Sequence, residues 1–238
     1  MKFFSLMLSA FLFLTACNFG GHRVSGNGTI SSQERNVSGF EEVKVGGDFK
    51  VYIIQGEVKP VKIEGDENLL EYVELNQSGK ELSITTRDGV NLDASSDMKI
   101  YLTAPMFRRI QASGASDIIS QGKLENEESI KISVSGAGDI NMEIDAPEIE
   151  SSITGSGNIT LKGEAKNVDL RISGAGKARC YDLKAENTEV HITGAGDADV
   201  YASEKLDARV SGAGSVRYKG DPKDVIQHVT GAGSVKKN

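Results

Sequence analysis

Ser135-Gly136-Ala137-Gly138-Asp139 decides how this chain folds, because close copies of it recur downstream and once upstream. They are Ser113-Gly114-Ala115-Ser116-Asp117, Thr154-Gly155-Ser156-Gly157-Asn158, Ser173-Gly174-Ala175-Gly176-Lys177, Thr193-Gly194-Ala195-Gly196-Asp197, Ser211-Gly212-Ala213-Gly214-Ser215 and Thr230-Gly231-Ala232-Gly233-Ser234. From one leading glycine to the next the steps are 22, 19, 19, 20, 18 and 19 residues. A period of this size marks stacked units that share one core.

The residues between the glycines alternate apolar with polar, as in Ile130, Ile132, Val134 before the turn and Ile140, Met142, Ile144 after it. Period two is the signature of strands buried on one face. Each unit therefore reads as strand, small turn, strand and a tether such as Asp145-Ala146-Pro147-Glu148 or Lys162 to Asn167. A propeller blade needs four strands and about twice this length. The expected fold is all-β, a parallel β-helix of about seven to nine coils. Its corners are the Gly-Ala-Gly turns, where glycine supplies a positive φ without Cβ strain. A flexible Gly-rich linker would lack apolar residues in register.

Upstream, residues 1–16 carry Lys2 and an apolar run from Phe3 to Leu14, too short to span a bilayer and typical of a signal peptide. The run ends in Leu14-Thr15-Ala16-Cys17, which looks like a lipobox, so Cys17 is the expected lipidation site and the membrane an expected partner through that lipid. Residues 17–38 are polar and rich in Gly and Ser, and read as a tether to a single domain spanning 39–238. Within it, 39–110 reads as an irregular β-rich cap and 111–238 as the regular repeats. Ser25-Gly26-Asn27-Gly28 reads as a degenerate first turn, and Asp66 as the N-cap of a short helical segment ending near Tyr72.

Taken together, Val37-Ser38-Gly39-Phe40, Val45-Gly46-Gly47-Asp48-Phe49-Lys50-Val51, Gly65-Asp66-Glu67-Asn68-Leu69-Leu70 and the repeat run to Val235 resemble the head GIN domain family. That family is named for auto-transporter adhesins and is common in secreted lipoproteins of Bacteroidota. The resemblance implies a binding or adhesion role in the cell envelope, and it brings no catalytic residues with it. The acidic run that surface lipoproteins of that phylum carry after the cysteine is absent from Asn18-Phe19-Gly20-Gly21, which favours the periplasmic face of the outer membrane.

With 27 basic and 34 acidic side chains the net charge is -7, which disfavours nucleic acid and electrostatic attachment to anionic membrane. The second cysteine, Cys180, falls in the inward register with Ala178 and reads as a buried core thiol, so no disulfide is expected. His22, His191 and His228 have neither metal-ligand spacing nor a nucleophile beside them. No cofactor is expected and the protein reads as a non-enzyme.

Stacking places the residues after each turn in a column about 4.8 Å apart. Asp117, Asp139, Asn158 and Asp197 in that column are candidate calcium ligands, but Lys177 interrupts them and a solvated turn face is the preferred reading. Two positions on, Asn141, Thr160, Arg179, Asp199 and Arg217 form an outward column. Tyr181 and Tyr201 occupy equivalent outward positions, which makes them the candidate ligand face for a glycan, envelope polymer or protein, or else a structural ladder. The alternatives to a binding module are a polysaccharide-acting enzyme or sensor on the same scaffold, and a structural spacer.

Overall fold

The computed structural model describes residues 21–238. The apolar leader and Cys17 lie outside the described residues.

Nine strands build the first half: β1 (His22–Ser25), β2 (Ile30–Arg35), β3 (Glu42–Gly47), β4 (Lys50–Gln55), β5 (Val61–Asp66), β6 (Val73–Ser78), β7 (Glu81–Thr86), β8 (Val90–Asp93) and β9 (Lys99–Ala104). Seven regular coils follow. They comprise β10 (Arg109–Gly114) with β11 (Asp117–Glu125), then β12 (Ser129–Gly136), β13 (Asp139–Gly155), β14 (Asn158–Gly174) and β15 (Lys177–Gly194), and then β16 (Asp197–Tyr201), β17 (Lys205–Gly212), β18 (Ser215–Lys219), β19 (Asp224–Gly231) and β20 (Ser234–Lys237). Every strand of the regular coils pairs in parallel with its counterpart one coil away, so the expected β-solenoid is the fold.

Register keeps like on like. Ile140 pairs with Ile159 and Ile153 with Ile172, then Ile172 with Ile192 and Ile192 with Val210, all pointing inward and all buried. Each such side chain contributes about 1.5–3 kcal/mol from burial, and a one-residue slip would turn the whole set out to water. At the corners the glycines stack directly. Ala175 N–H donates to the Gly155 carbonyl at 2.9 Å and Ala195 N–H to the Gly174 carbonyl at 2.8 Å, which carries the ladder through the turn.

The segments read as tethers between strand pairs are themselves strand. β13 runs unbroken through Asp145-Ala146-Pro147-Glu148, and Ala146, Ala165 and Ala185 pair coil to coil. Alanine is small enough to sit inside a corner, so the backbone can bend there and stay paired.

Coil order departs from chain order at the first end. β3 pairs in parallel with β10 on one side and with β7 on the other, and β4 likewise lies between β11 and β9. Residues 81–104 thus form a coil outside the one that precedes them in sequence. Antiparallel strands then close that end: β6 on β7, β5 on β9 and β2 on β5. A 3-10 segment, Glu67–Tyr72, adds buried Leu69 and Leu70. This is the irregular cap expected of the N-terminal region, and it covers the edge of the parallel sheet.

From residue 21 onward the polar segment expected to be a tether belongs to this cap. β1 pairs with β8 and β2 with β5. Both strands are largely exposed, which is why they lack the apolar alternation that reveals a strand. Ser25-Gly26-Asn27-Gly28 is the β1–β2 connection and not a member of the glycine column. Asp66 sits at the start of the 3-10 segment but makes no side-chain cap there. Its buried carboxylate instead accepts hydrogen bonds from the Gly28 and Ser95 N–H groups, both at 2.8 Å, and from the Ser95 hydroxyl at 2.7 Å. These bonds hold its carboxyl below the usual range, the Ser95 hydroxyl contributing most.

Candidate ligand face

The corner opposite the glycine turns carries a shallow groove of about 640 Å³ that crosses several coils. Its floor is the alanine ladder Ala146, Ala165, Ala185, and its walls carry Asp145, Glu164, Lys166, Lys184 and Tyr201. The floor is low because these alanines turn into the corner, Ala146 and Ala185 being buried there. In-register pairing of Asp145 with Glu164 and of Glu164 with Lys184 repeats polar groups along one wall.

Tyr201 lines this groove, and Tyr181 does not. A lysine covers one face of each ring: the Lys184 ammonium stands 4.2 Å from the Tyr201 centroid and Lys219 4.5 Å from that of Tyr181. The Tyr181 hydroxyl is buried without a well-formed hydrogen bond, and burial, then the Asp199 charge, pushes its ionisation upward. Both tyrosines are half-buried, and they do not form one open platform. A stacked pair does exist at Tyr52 and Tyr101, whose rings are nearly parallel with centroids 5.1 Å apart. Each is outward by alternation with its inward neighbours. Their meeting depends on β4 pairing with β9, which the order of the chain does not disclose.

The turn column is in register as expected, Asp139 beside Asn158, then Lys177, Asp197 and Ser215. The carboxylates of Asp117 and Asp139 are engaged with backbone. Asp117 accepts from the Asp139 N–H and Asp139 from the Asn158 N–H, each at 3.1 Å. Asp139 also accepts from the Asn158 side-chain amide at 2.8 Å. Among the described residues no three His, Cys, Asp or Glu side chains converge as a metal site. In the next outward column Arg217 donates to Asp199 at 2.7 Å, one coil to the next.

Sequence reasoning missed a carboxylate ladder on the other broad face. Glu150, Asp169, Glu189 and Asp207 pair successively, one per coil. Two residues on, Arg171 and Arg209 answer Asp169 and Asp207 with intrastrand ion pairs, and the His191 ring hydrogen-bonds Glu189. Asp169 is pushed above the usual carboxylate range, by burial first and by the Glu189 charge against the relief from Arg171. The alternation that shows which residues face outward could have found this column, since all four precede an inward apolar or small residue by one.

Cys180 is buried, and burial lifts its thiol to about 12. His191 holds Glu189 at 2.7 Å and His228 lies exposed on β19.

A parallel solenoid with an antiparallel cap at its first end and outward ladders running across its coils defines the class of β-solenoid proteins. Within it, the chain belongs to the family described as "Putative auto-transporter adhesin, head GIN domain", whose model matches residues 39–222. Among solved structures it is similar to a protein described as a putative adhesin from Bacteroides fragilis, 23% identical over 90% of this chain and 100% of that one, with a TM-score of 0.86. A second, described as a putative adhesin from Parabacteroides distasonis, is 27% identical over 91% and 100%, TM-score 0.71. A third, described as a putative lipid binding protein from the same species, is 24% identical over 91% and 99%, TM-score 0.73. No protein with a curated description matches the chain. No helix of the described residues is long and apolar enough to cross a membrane.

Proposed function

We propose that this chain is a non-enzymatic binding module of the cell envelope, carried on a lipid at Cys17, that holds a long ligand across several coils. The observation that carries the proposal is the groove over Ala146, Ala165 and Ala185, which carries a polar wall residue on each coil, Asp145, Glu164 and Lys184. A ligand lying there would gain weak contacts from each coil, so affinity should rise with ligand length. Tyr201 offers the free side of its ring and Lys184, Lys166 and Glu164 offer hydrogen bonds, a set suited to a glycan or envelope polymer. The core residues pack tightly along the described solenoid, so acyl chains would contact this protein through its anchor and not within the coils.

The test is binding of the full chain to envelope polysaccharides of graded length. Tyr201→Ala with Lys184→Ala should weaken retention of the longest polymer roughly tenfold at unchanged melting temperature, and Tyr181→Ala should have a smaller effect. Equal retention by the wild type and the groove variant sinks the reading. For the anchor, Cys17→Ser should abolish metabolic labelling with a fatty acid while Cys180→Ser keeps it. Labelling that survives Cys17→Ser removes the lipid from the proposal. An outer-membrane, periplasm-facing position is expected of the anchored form, and resistance to protease added to whole cells checks it.

A further inference from the structure

The groove carries its charges as a checkerboard. Glu164 and Lys166 flank Ala165 on one coil, Lys184 and Glu186 flank Ala185 on the next, and all four side chains line the groove and are exposed. Glu164 pairs in register with Lys184, and Lys166 stands beside Glu186 between the pairs Ala165–Ala185 and Asn167–Asn187. Each carboxylate therefore has an ammonium next to it along the groove and another across it, and the net charge of the four is zero.

Neighbouring charges are neutralised within the chain, and these are not. Asp145, one coil before, pairs with Lys123 at 2.7 Å, and Glu204, one coil after, pairs with Lys223 at 2.6 Å. Among the described residues Glu164, Lys166, Lys184 and Glu186 join no ion pair. The Lys184 ammonium lies 4.2 Å from the Tyr201 centroid and donates to the Tyr181 carbonyl at 3.3 Å, neutral partners that leave its charge uncompensated. On the flat faces residues two apart do pair, as Arg209 does with Asp207 at 2.8 Å. At this corner Ala165 and Ala185 turn inward, so the residues before and after each diverge and opposite charges stay on separate walls.

We infer that the ligand of this groove is an extended glycan whose repeat carries both a cationic amine and an acidic group, an inference that rests on the polymer-binding role proposed above. A polyanion or a polycation would set a like charge against two of the four side chains, the kind of juxtaposition that rejects wrong partners. A neutral polymer would gain nothing from them. The order of signs adds a further requirement: amine and acid must change walls from one coil to the next. A β-1,4-linked chain meets it, because each sugar is turned over relative to the last and the chain advances by close to the coil spacing per sugar. Tyr201, on the following coil, offers its free face to the next ring.

The test is retention of four β-1,4-linked polymers of equal length by the full chain. O-carboxymethyl chitosan carries both groups, chitosan the amine alone, carboxymethyl cellulose the acid alone and hydroxyethyl cellulose neither. At about pH 5.5 the amine and the carboxymethyl group are both charged, and about 0.15 M salt screens the more distant acidic surface. Carboxymethyl chitosan should bind about tenfold more tightly than each of the other three. Glu164→Lys with Lys166→Glu keeps the net charge but makes one wall wholly basic and the other wholly acidic, and it should abolish that preference. Glu164→Gln with Glu186→Gln should shift the preference to carboxymethyl cellulose. Both variants should keep the wild-type melting temperature, since the altered side chains are exposed. Carboxymethyl chitosan held no more tightly than the singly charged polymers, or a preference that survives the exchange of Glu164 and Lys166, would overturn the inference while leaving the groove a polymer site. Retention of none of the four polymers would overturn both.

Discussion

Gly174 and Gly194 show what a single position in the turn column does. Their φ angles are +122° and +118°, and an added Cβ would meet the carbonyl oxygen of the glycine one coil back, Gly155 and Gly174 respectively. That oxygen accepts the turn hydrogen bond, so it cannot move aside without breaking the ladder. Gly174→Val or Gly194→Val should therefore cost well over 1 kcal/mol, about 1 from the backbone region alone. Arg171→Ala removes only an exposed side chain and a surface ion pair, so it should stay within about 0.5 kcal/mol. Urea denaturation of the three proteins is the check, and similar midpoint shifts for glycine and arginine variants would contradict the stacked corner. These glycines were legible in the sequence because repetition exposes them. What covers Tyr181 and Tyr201 was not, because Lys219 and Lys184 reach them from positions that no single repeat predicts.

At the scale of elements, the regular coils follow from alternation and period, but the cap does not. β1 and β2 carry little apolar periodicity, and the coil at 81–104 goes outside the coil at 42–55, an order that only three-dimensional pairing fixes. Asp66 joins these pieces: it ties the β1–β2 connection at Gly28 and the loop at Ser95 to the end of β5. Its carboxyl lies below its ordinary value in the folded state, so the folded protein releases that proton more readily than the unfolded chain does. The resulting stabilisation is complete above the unfolded value of about 3.9 and is lost as pH falls from there toward the folded value. Asp66→Asn should thus be less stable than wild type at pH 7, with the gap narrowing below about pH 4. A gap of constant size between pH 7 and pH 3 would show that the ionised carboxylate is not what holds the cap.

For the whole molecule, stacking makes stability nearly one-dimensional: each coil is held by its neighbours, and an end coil has only one. The two ends are unequal in this protein. Val43, Val51 and Leu82 near the cap are fully buried, while β19 carries no buried residue. Opening should accordingly begin at β19 and β20 and travel toward the cap, because fraying the last coil exposes the least apolar surface per strand released. Hydrogen exchange followed by mass spectrometry should show amides of 224–237 exchanging fastest. Those of β12 to β15 should be slower, and those of β3, β4, β10 and β11 slowest. Uniform exchange along the coils would mean that the solenoid opens as one cooperative unit, and the gradient expected from its unequal ends would be wrong.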